Sequence, residues 1–240
     1  MSTHPLILVT GASKGIGQAI CHKLLAEGYH VVGIARQFQG STLAHHPNFE
    51  GVSLDLSNLE ALPQALKELK GRYPQVKGLI CNAGRGHFKH LEEFSFEQIR
   101  SLIDLNFLSH VYLTKAFLPL LKKQTRSDVI FIGSEAALAG RRQGSVYCAS
   151  KFALRGFAQA LRDECATSSV RVCLINPGMV QTSFFQELHF SPGMEHTEHL
   201  LPEDIAETVA LVLRAREGTV FDEINLSPHR KKICFHKKLE

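Results

Sequence analysis

Short runs of Val, Ile and Leu alternate with amphipathic stretches along the whole chain, and this alternation limits the fold more than any other feature. The runs lie at 6–10, 30–35, 51–55, 78–81, 128–133, 171–176 and 220–226. Several are near-continuous, as strands covered on both faces are. Between them, 15–28, 59–72, 96–123, 147–167 and 202–216 repeat apolar residues at helical spacing. In the first of these, Ile16, Ile20, Leu24 and Leu25 share one side and Gly28 supplies a stop. Pro202 stands near the start of the last, where its missing N–H costs little. Parallel strands need crossover connections, and helices supply them. The pattern predicts one doubly wound α/β domain over residues 1–240, with a parallel seven-stranded sheet and helices on both faces. The least patterned stretch, 183–201, is expected to be an active-site loop or a poorly ordered insertion.

Composition removes several function classes. No apolar run approaches the roughly 20 residues of a membrane-spanning helix. Met1 to Pro5 carries no basic segment, and the apolar run after it is too short for a signal peptide, so a cytoplasmic protein is expected. The net charge of +4 is too small for a nucleic-acid binder, and much of it sits in a basic tail, 229–240, which reads as a solvated, frayed end. The six cysteines form no C-x-x-C pair and read as reduced thiols. The thirteen histidines show no H-E-x-x-H arrangement, so no metal site is expected.

The first strand runs into Thr10-Gly11-Ala12-Ser13-Lys14-Gly15-Ile16-Gly17 and a helix follows at once. Gly11 permits a sharp turn. Gly15 lets the backbone approach a phosphate, and Gly17 lets helix and strand pack closely. The helix N-terminus offers N–H groups and a positive dipole end to an anion. A nucleotide is the expected ligand.

The spacing G-x-x-x-G-x-G resembles that of the short-chain dehydrogenase/reductase family, and further matches follow in order. They are Asp55-Leu56, Asn82-Ala83-Gly84, Asn106, Ser134, Tyr147-x-x-x-Lys151 and Pro177-Gly178 with Val180 and Thr182. The resemblance implies a Rossmann-type fold that binds a nicotinamide cofactor. Gly11, Ser13, Lys14, Gly15, Ile16 and Gly17 would hold its phosphates, and Asp55, Leu56, Asn82, Ala83 and Gly84 would line the adenine side and floor. Pro177, Gly178, Val180 and Thr182 would shape the nicotinamide pocket. It also implies a homodimer or homotetramer, with the apolar faces of 105–121 and 152–161 at the interface.

Charge selects between the two nicotinamide cofactors. NAD-binding members place a carboxylate at the end of the second strand, on the ribose hydroxyls. Here that position reads Ala35-Arg36. Arg36 and Lys14 suit a 2′-phosphate, so NADP(H) is expected.

Tyr147 and Lys151 are spaced i, i+4 and share a helix face. A free tyrosine, with a pKa of about 10, is a poor proton exchanger at neutral pH. The Lys151 ammonium is expected to lower it. The resemblance then implies a carbonyl reductase or alcohol dehydrogenase. Tyr147 exchanges the proton with the substrate oxygen, Ser134 holds that oxygen, Lys151 binds the nicotinamide ribose and Asn106 anchors a water that passes the proton onward.

The substrate is the least legible part. Glu135, Arg141 and Arg142 are candidate contacts, and the arginines would suit a hydroxy or oxo acid if they face the pocket. The ending Val220-Phe221-Asp222-Glu223-Ile224-Asn225-Leu226 resembles the NADP-dependent 3-hydroxy acid dehydrogenase branch of the family. A 3-oxoacyl-carrier-protein reductase or a general carbonyl reductase is the alternative enzyme. A non-catalytic NADP-binding redox sensor is the alternative of another class.

Overall fold

A computed structural model describes residues 5–39 and 42–236. Elements follow in chain order: β1 (Leu6–Thr10), α1 (Gly15–Ala26), β2 (His30–Ala35), β3 (Phe49–Ser53), α2 (Leu62–Arg72), β4 (Val76–Cys81), α3 (Phe96–Ile103), α4 (Ser109–Leu121), β5 (Ser127–Ile132), α5 (Ser145–Cys165), β6 (Val170–Pro177), β7 (Phe190–Pro192), α6 (Pro202–Arg214), β8 (Glu223–Leu226) and β9 (Ile233–Phe235). Seven strands form one parallel sheet in the order β3-β2-β1-β4-β5-β6-β8. The predicted strand–helix alternation and parallel sheet are both present.

Strand side chains alternate between two apolar layers. Leu8, Val32, Leu79, Val129 and Val172 face α2, α4 and α5, where Leu66, Phe117 and Leu154 meet them. Ile7, Val9, Ile80, Ile130 and Ile175 face α1 and α6, where Ile20, Leu24, Ile205 and Val209 close the other layer. Phe117 has no solvent exposure, so its truncation to Ala is expected to cost about 3–5 kcal/mol. The chain winds outward from β1 to β3, then returns to β4 on the other side of β1. That reversal leaves a crevice beyond the C-terminal ends of β1 and β4, where ligands bind in doubly wound sheets.

Several expectations need correction. The third strand lies at Phe49–Ser53, two residues before the predicted run. The second helix starts at Leu62, where Pro63 fits the first turn. The predicted helix over 96–123 is interrupted by a π-helical turn at Asp104–Leu108. The stretch 183–201 is not a poorly ordered insertion, and the tail is not frayed over its described residues, 229–236. β7 pairs antiparallel with β9, matching Phe190 with Phe235 and Pro192 with Ile233. Gly193 N donates to Lys232 O (3.1 Å), Arg230 N to Thr197 O (2.8 Å) and His236 N to His189 O (2.8 Å). Of the tail, Lys237, Lys238, Leu239 and Glu240 lie outside the described residues, as do Met1 to His4 of the start.

Candidate active site

A cavity of about 1090 Å³ fills the crevice, above the few hundred Å³ of an ordinary small-ligand pocket. Gly11, Ser13, Lys14, Gly15, Ile16 and Arg36 line one end, and Asp55, Leu56, Asn82, Ala83 and Gly84 line its floor. Ser134, Tyr147, Pro177, Gly178, Val180 and Thr182 lie further along, with Glu135, Arg141 and Arg142. Gly17, Asn106 and Lys151 do not line it. Gly17 and Asn106 support it from behind, while Lys151 Nζ reaches its edge, 3.8 Å from where a Cβ on the lining Gly84 would stand.

At the first end, the chain leaves β1 through Gly11, at φ 66°, and enters α1 through Gly15, at φ 55°. Both values favour glycine. A Cβ on Gly17 would collide with the Gly11 carbonyl, so helix and turn touch there. Lys14 is the N-cap of α1, and its side chain makes no capping hydrogen bond. The first-turn N–H groups of a twelve-residue helix therefore meet the cavity without a side-chain partner. Lys14 and Arg36 are exposed and make no ion pair among the described residues. Asp55 accepts from Ser57 N (2.9 Å) and Ser57 Oγ (2.7 Å). These bonds, with the charge of Arg36, hold its carboxyl below the usual carboxylate range.

Thr10 joins this end to the middle of the cavity. Its buried hydroxyl accepts from Asn82 N (2.9 Å) and Ala83 N (3.0 Å) and donates to Ile80 O (3.3 Å). Asn82 Nδ2 donates back to Thr10 O (2.9 Å). The Asn82 side chain thus fixes the glycine turn to β4, and what it offers a ligand is mainly backbone. Sequence reasoning passed over Thr10 because its partners stand some 70 positions away.

At the other end, the π-helical turn sets Asn106 fully inside the protein. Such turns insert one extra residue per turn and re-aim the side chains that follow. Asn106 Oδ1 accepts from Arg85 N (3.0 Å), and its Nδ2 donates to Arg85 O (3.0 Å) and Ser150 Oγ (3.3 Å). It clamps the segment after β4 against α5. Lys151, 4% exposed, donates from Nζ to Ile132 O (3.1 Å). That is its one hydrogen-bond partner among the described residues, and no carboxylate pairs with it. Burial pushes its ammonium down to about 8.

The Tyr147 hydroxyl moves opposite to expectation. Burial pushes it up to about 12, against the opposing effect of the Ser134 hydroxyl. The Lys151 ammonium is 6.0 Å from the ring centroid. At that distance its attraction does not offset the loss of water around a phenolate. The protein alone therefore holds Tyr147 as a protonated donor.

Ser134 is held from below. Its N–H donates to Asn176 Oδ1 (3.2 Å), and its Oγ accepts from Ala136 N (3.1 Å). Asn176 Nδ2 donates to Glu223 Oε1 (2.9 Å) and Asn225 Oδ1 (3.0 Å), and Arg155 Nε donates to Glu223 Oε2 (3.0 Å). This line of contacts from α5 through β8 to β6 sets the serine's backbone, and sequence reasoning did not find it. Pro177 ends β6, and Gly178 N donates to Leu226 O (2.7 Å). Val180 pairs with Leu200, and Thr182 Oγ1 accepts from Phe184 N (3.2 Å).

Two of the candidate substrate contacts face the cavity unpaired. Arg141 and Arg142 are exposed and make no ion pair among the described residues. Glu135 is different: its carboxylate is bound to Lys231 of the tail (2.7 Å), a pairing that sequence distance concealed. Among the described residues, no three His, Cys, Asp or Glu side chains gather closely enough to hold a metal ion. No helix among them is long and apolar enough to cross a membrane.

The chain is similar to known proteins along most of its length. The chain is 29% identical to an NADP-dependent 3-hydroxy acid dehydrogenase of Schizosaccharomyces pombe, over 96% of this chain and 95% of the relative. It is 30% identical to the NADP-dependent 3-hydroxy acid dehydrogenase YdfG of Salmonella typhi, over 85% of this chain and 87% of that one. Among solved structures, an alcohol dehydrogenase from Thermococcus sibiricus complexed with 5-hydroxy-NADP superposes with a TM-score of 0.83 at 28% identity, covering 95% of this chain and 99% of the other. The family model described as short chain dehydrogenase matches residues 5–191, which run from β1 through the glycine turn, Tyr147 and Lys151 to β7. With that span matched and the sheet order and crevice as described, the chain belongs to the short-chain dehydrogenase family.

Proposed function

We propose that this chain is an NADP(H)-dependent oxidoreductase that interconverts a carbonyl and a secondary alcohol, with Tyr147 as the proton-exchanging residue. The observation that carries the reading is the buried Lys151 ammonium. Among the described residues it has a single hydrogen-bond partner, Ile132 O, and it lies beside the large cavity, which also reaches the uncapped N-terminus of α1. A buried cation with spare donors is costly unless a ligand uses them.

The residues fit a phosphate-bearing nicotinamide cofactor. The first turn of α1 suits the pyrophosphate. Arg36 and Lys14 suit a 2′-phosphate, and no carboxylate stands at Ala35 or Arg36 to repel it. Lys151 would use its spare donors on the nicotinamide ribose hydroxyls. Bound NADPH supplies the hydride. Tyr147 donates its proton to the substrate's carbonyl oxygen, and the raised pKa keeps that proton available at neutral pH. Ser134 donates a hydrogen bond to the same oxygen and fixes it beside the phenol. Asn106 acts as a positioning residue through Arg85 and Ser150.

The substrate is read as a hydroxy or oxo acid. The unpaired Arg141 and Arg142 at the cavity wall support this, as do the substrates named for the relatives. The reading includes a homodimer or homotetramer, which the half-exposed Phe152 on α5 supports. It also includes a cytoplasmic setting, which six free thiols support. The test is NADPH oxidation over a panel of oxo acids, diketones, quinones and acyl thioesters, with NADH beside it. Tight NADPH binding with no turnover across the panel would favour the redox-sensor alternative.

A further inference from the structure

Five aromatic rings, that of Tyr147 among them, form a closed circuit. Tyr147 meets Phe88 (4.9 Å between centroids), Phe88 meets Phe190 (5.0 Å), Phe190 meets Phe185 (5.8 Å), Phe185 meets Phe184 (5.1 Å), and Phe184 returns to Tyr147 (6.2 Å). All five line the cavity. The four phenylalanines are half-buried, so each keeps part of its ring turned to open space. Three of the four come from the 183–201 stretch, and the tail closes the wall with Phe235, which pairs in register with Phe190.

The circuit depends on a local backbone feature. A Cβ on Gly86 would overlap the Phe88 ring at 2.8 Å and the Phe184 ring at 2.5 Å. Glycine at that position lets both rings lie directly on the segment after β4. Rings from two separate chain segments, Phe88 and Phe184, therefore meet the ring of Tyr147, and Phe235 of a third segment lines the same cavity.

Half-exposed apolar rings around a catalytic hydroxyl gain most from a ligand that removes them from water. A short polar acid would leave them wet. We infer that the group attached to the reacting carbon is apolar and of aromatic-ring size, so the enzyme takes aryl-substituted oxo compounds in preference to their methyl counterparts. The inference rests on the carbonyl reductase reading and narrows it. The cationic Arg141 and Arg142 are compatible with a carboxylate elsewhere on the same molecule.

Two matched pairs test this with the full chain. One pair is 3-oxobutanoate and 3-oxo-3-phenylpropanoate, and the other is 2,3-butanedione and 1-phenyl-1,2-propanedione. Within each pair only methyl and phenyl differ at one carbonyl. The phenyl member is expected to show kcat/KM with NADPH higher by about tenfold or more, the gain of burying one ring. Phe184→Ala is expected to shrink that ratio severalfold. A separate readout needs no turnover. In saturation-transfer NMR on the cofactor-free protein, 1-phenylethanol is expected to show strong ring-proton signals that 2-butanol cannot displace. Equal or better turnover of the methyl members overturns the inference and leaves the reductase reading intact. Ring binding without any turnover supports the inference about the pocket and overturns the reductase reading. A ring signal that survives unchanged in Phe184→Ala, with an unchanged ratio, also overturns the inference.

Discussion

The Lys151 ammonium lies 6.0 Å from the centre of the Tyr147 ring and donates to Ile132 O, while the Tyr147 phenol is pushed up to about 12. The pair is thus not a preformed ion pair. In the protein alone, the tyrosine is a proton donor and the lysine is a buried cation. Tyr147→Phe removes the donor and keeps the ring in its aromatic circuit. Turnover of any accepted carbonyl is expected to fall by about 10²–10⁴-fold, with NADPH affinity close to that of the native chain. A fluorescence titration and a single-turnover assay together check this. Near-normal turnover would remove Tyr147 from its role.

The pH dependence follows from Lys151. Its folded pKa is depressed from 10.5 to about 8, so the cation is present below that value and lost as pH rises through it. Because kcat/KM reports the free enzyme, its value for NADPH is expected to decline above about pH 8. Stability moves the other way. Between the folded and the unfolded pKa the unfolded chain binds the extra proton, so stability rises with pH in that window. Lys151→Met is therefore expected to be inactive yet to melt higher than the native chain at pH 7. The gap should narrow as pH rises from about 8 towards 10.5. Thermal denaturation of both chains across pH 7–10, in suitable buffers, measures it; a Met variant that melts lower at pH 7 contradicts the account.

Cofactor choice is expected to follow Arg36. Losing one charge-assisted contact costs about 1.5–3 kcal/mol, or roughly 10–100-fold in affinity. Arg36→Asp adds a carboxylate that repels a phosphate and suits ribose hydroxyls. The ratio of kcat/KM for NADPH over NADH is expected to drop by at least that factor. An unchanged ratio would show that Arg36 is only a solvated surface residue.

The parts that were legible in the sequence share one property: they are local. Gly11, Gly15 and Gly17 sit within one turn, and Tyr147 and Lys151 within another, so their spacing already carries their geometry. Thr10 and Asn176 escaped because their partners are distant in the chain, Asn82 and Ala83 for one and Ser134 and Glu223 for the other. β7 and β9 have three residues each, too few for an alternating pattern to show. The π-helical turn at Asn106 was hidden because the apolar residues around it keep helical spacing. The direction of the Tyr147 shift depends on burial, which a one-dimensional pattern of charges does not report.

Asn176 offers a test of the support beneath Ser134. Asn176→Ala leaves Ser134 N–H and one oxygen of Glu223 without their partner at a part-buried site. An unsatisfied buried group costs about 1–3 kcal/mol. The variant is expected to melt several degrees lower and to lose more in kcat than in NADPH affinity, since Asn176 does not line the cavity. An unaltered melting point would show that the line from Arg155 to Ser134 contributes nothing.

The tail is expected to matter for substrate and not for cofactor. Lys232 Nζ pairs with Glu198 Oε1 (3.0 Å), whose side chain is only 5% exposed. Lys231 holds Glu135, the residue next to Ser134, and β9 holds β7. Removing everything after Pro228 cuts all three ties and strips Ile233 and Phe235 from the cavity wall. Among the described residues of the tail, the cavity is lined only by Ile233 and Phe235, which stand on the substrate-side wall with β7. The truncated chain is expected to bind NADPH within about threefold of the intact one, while KM for its best carbonyl substrate rises about tenfold or more, as expected for a pocket that loses a ring. Lys232→Ala is a milder version: it leaves Glu198 without its ion pair beside Gly193 and is expected to loosen the 183–201 stretch without shortening the chain. Its effect is expected in the same direction and smaller. If both variants change KM for NADPH and for the carbonyl equally, the tail stabilises the whole domain and has no particular hold on the substrate side.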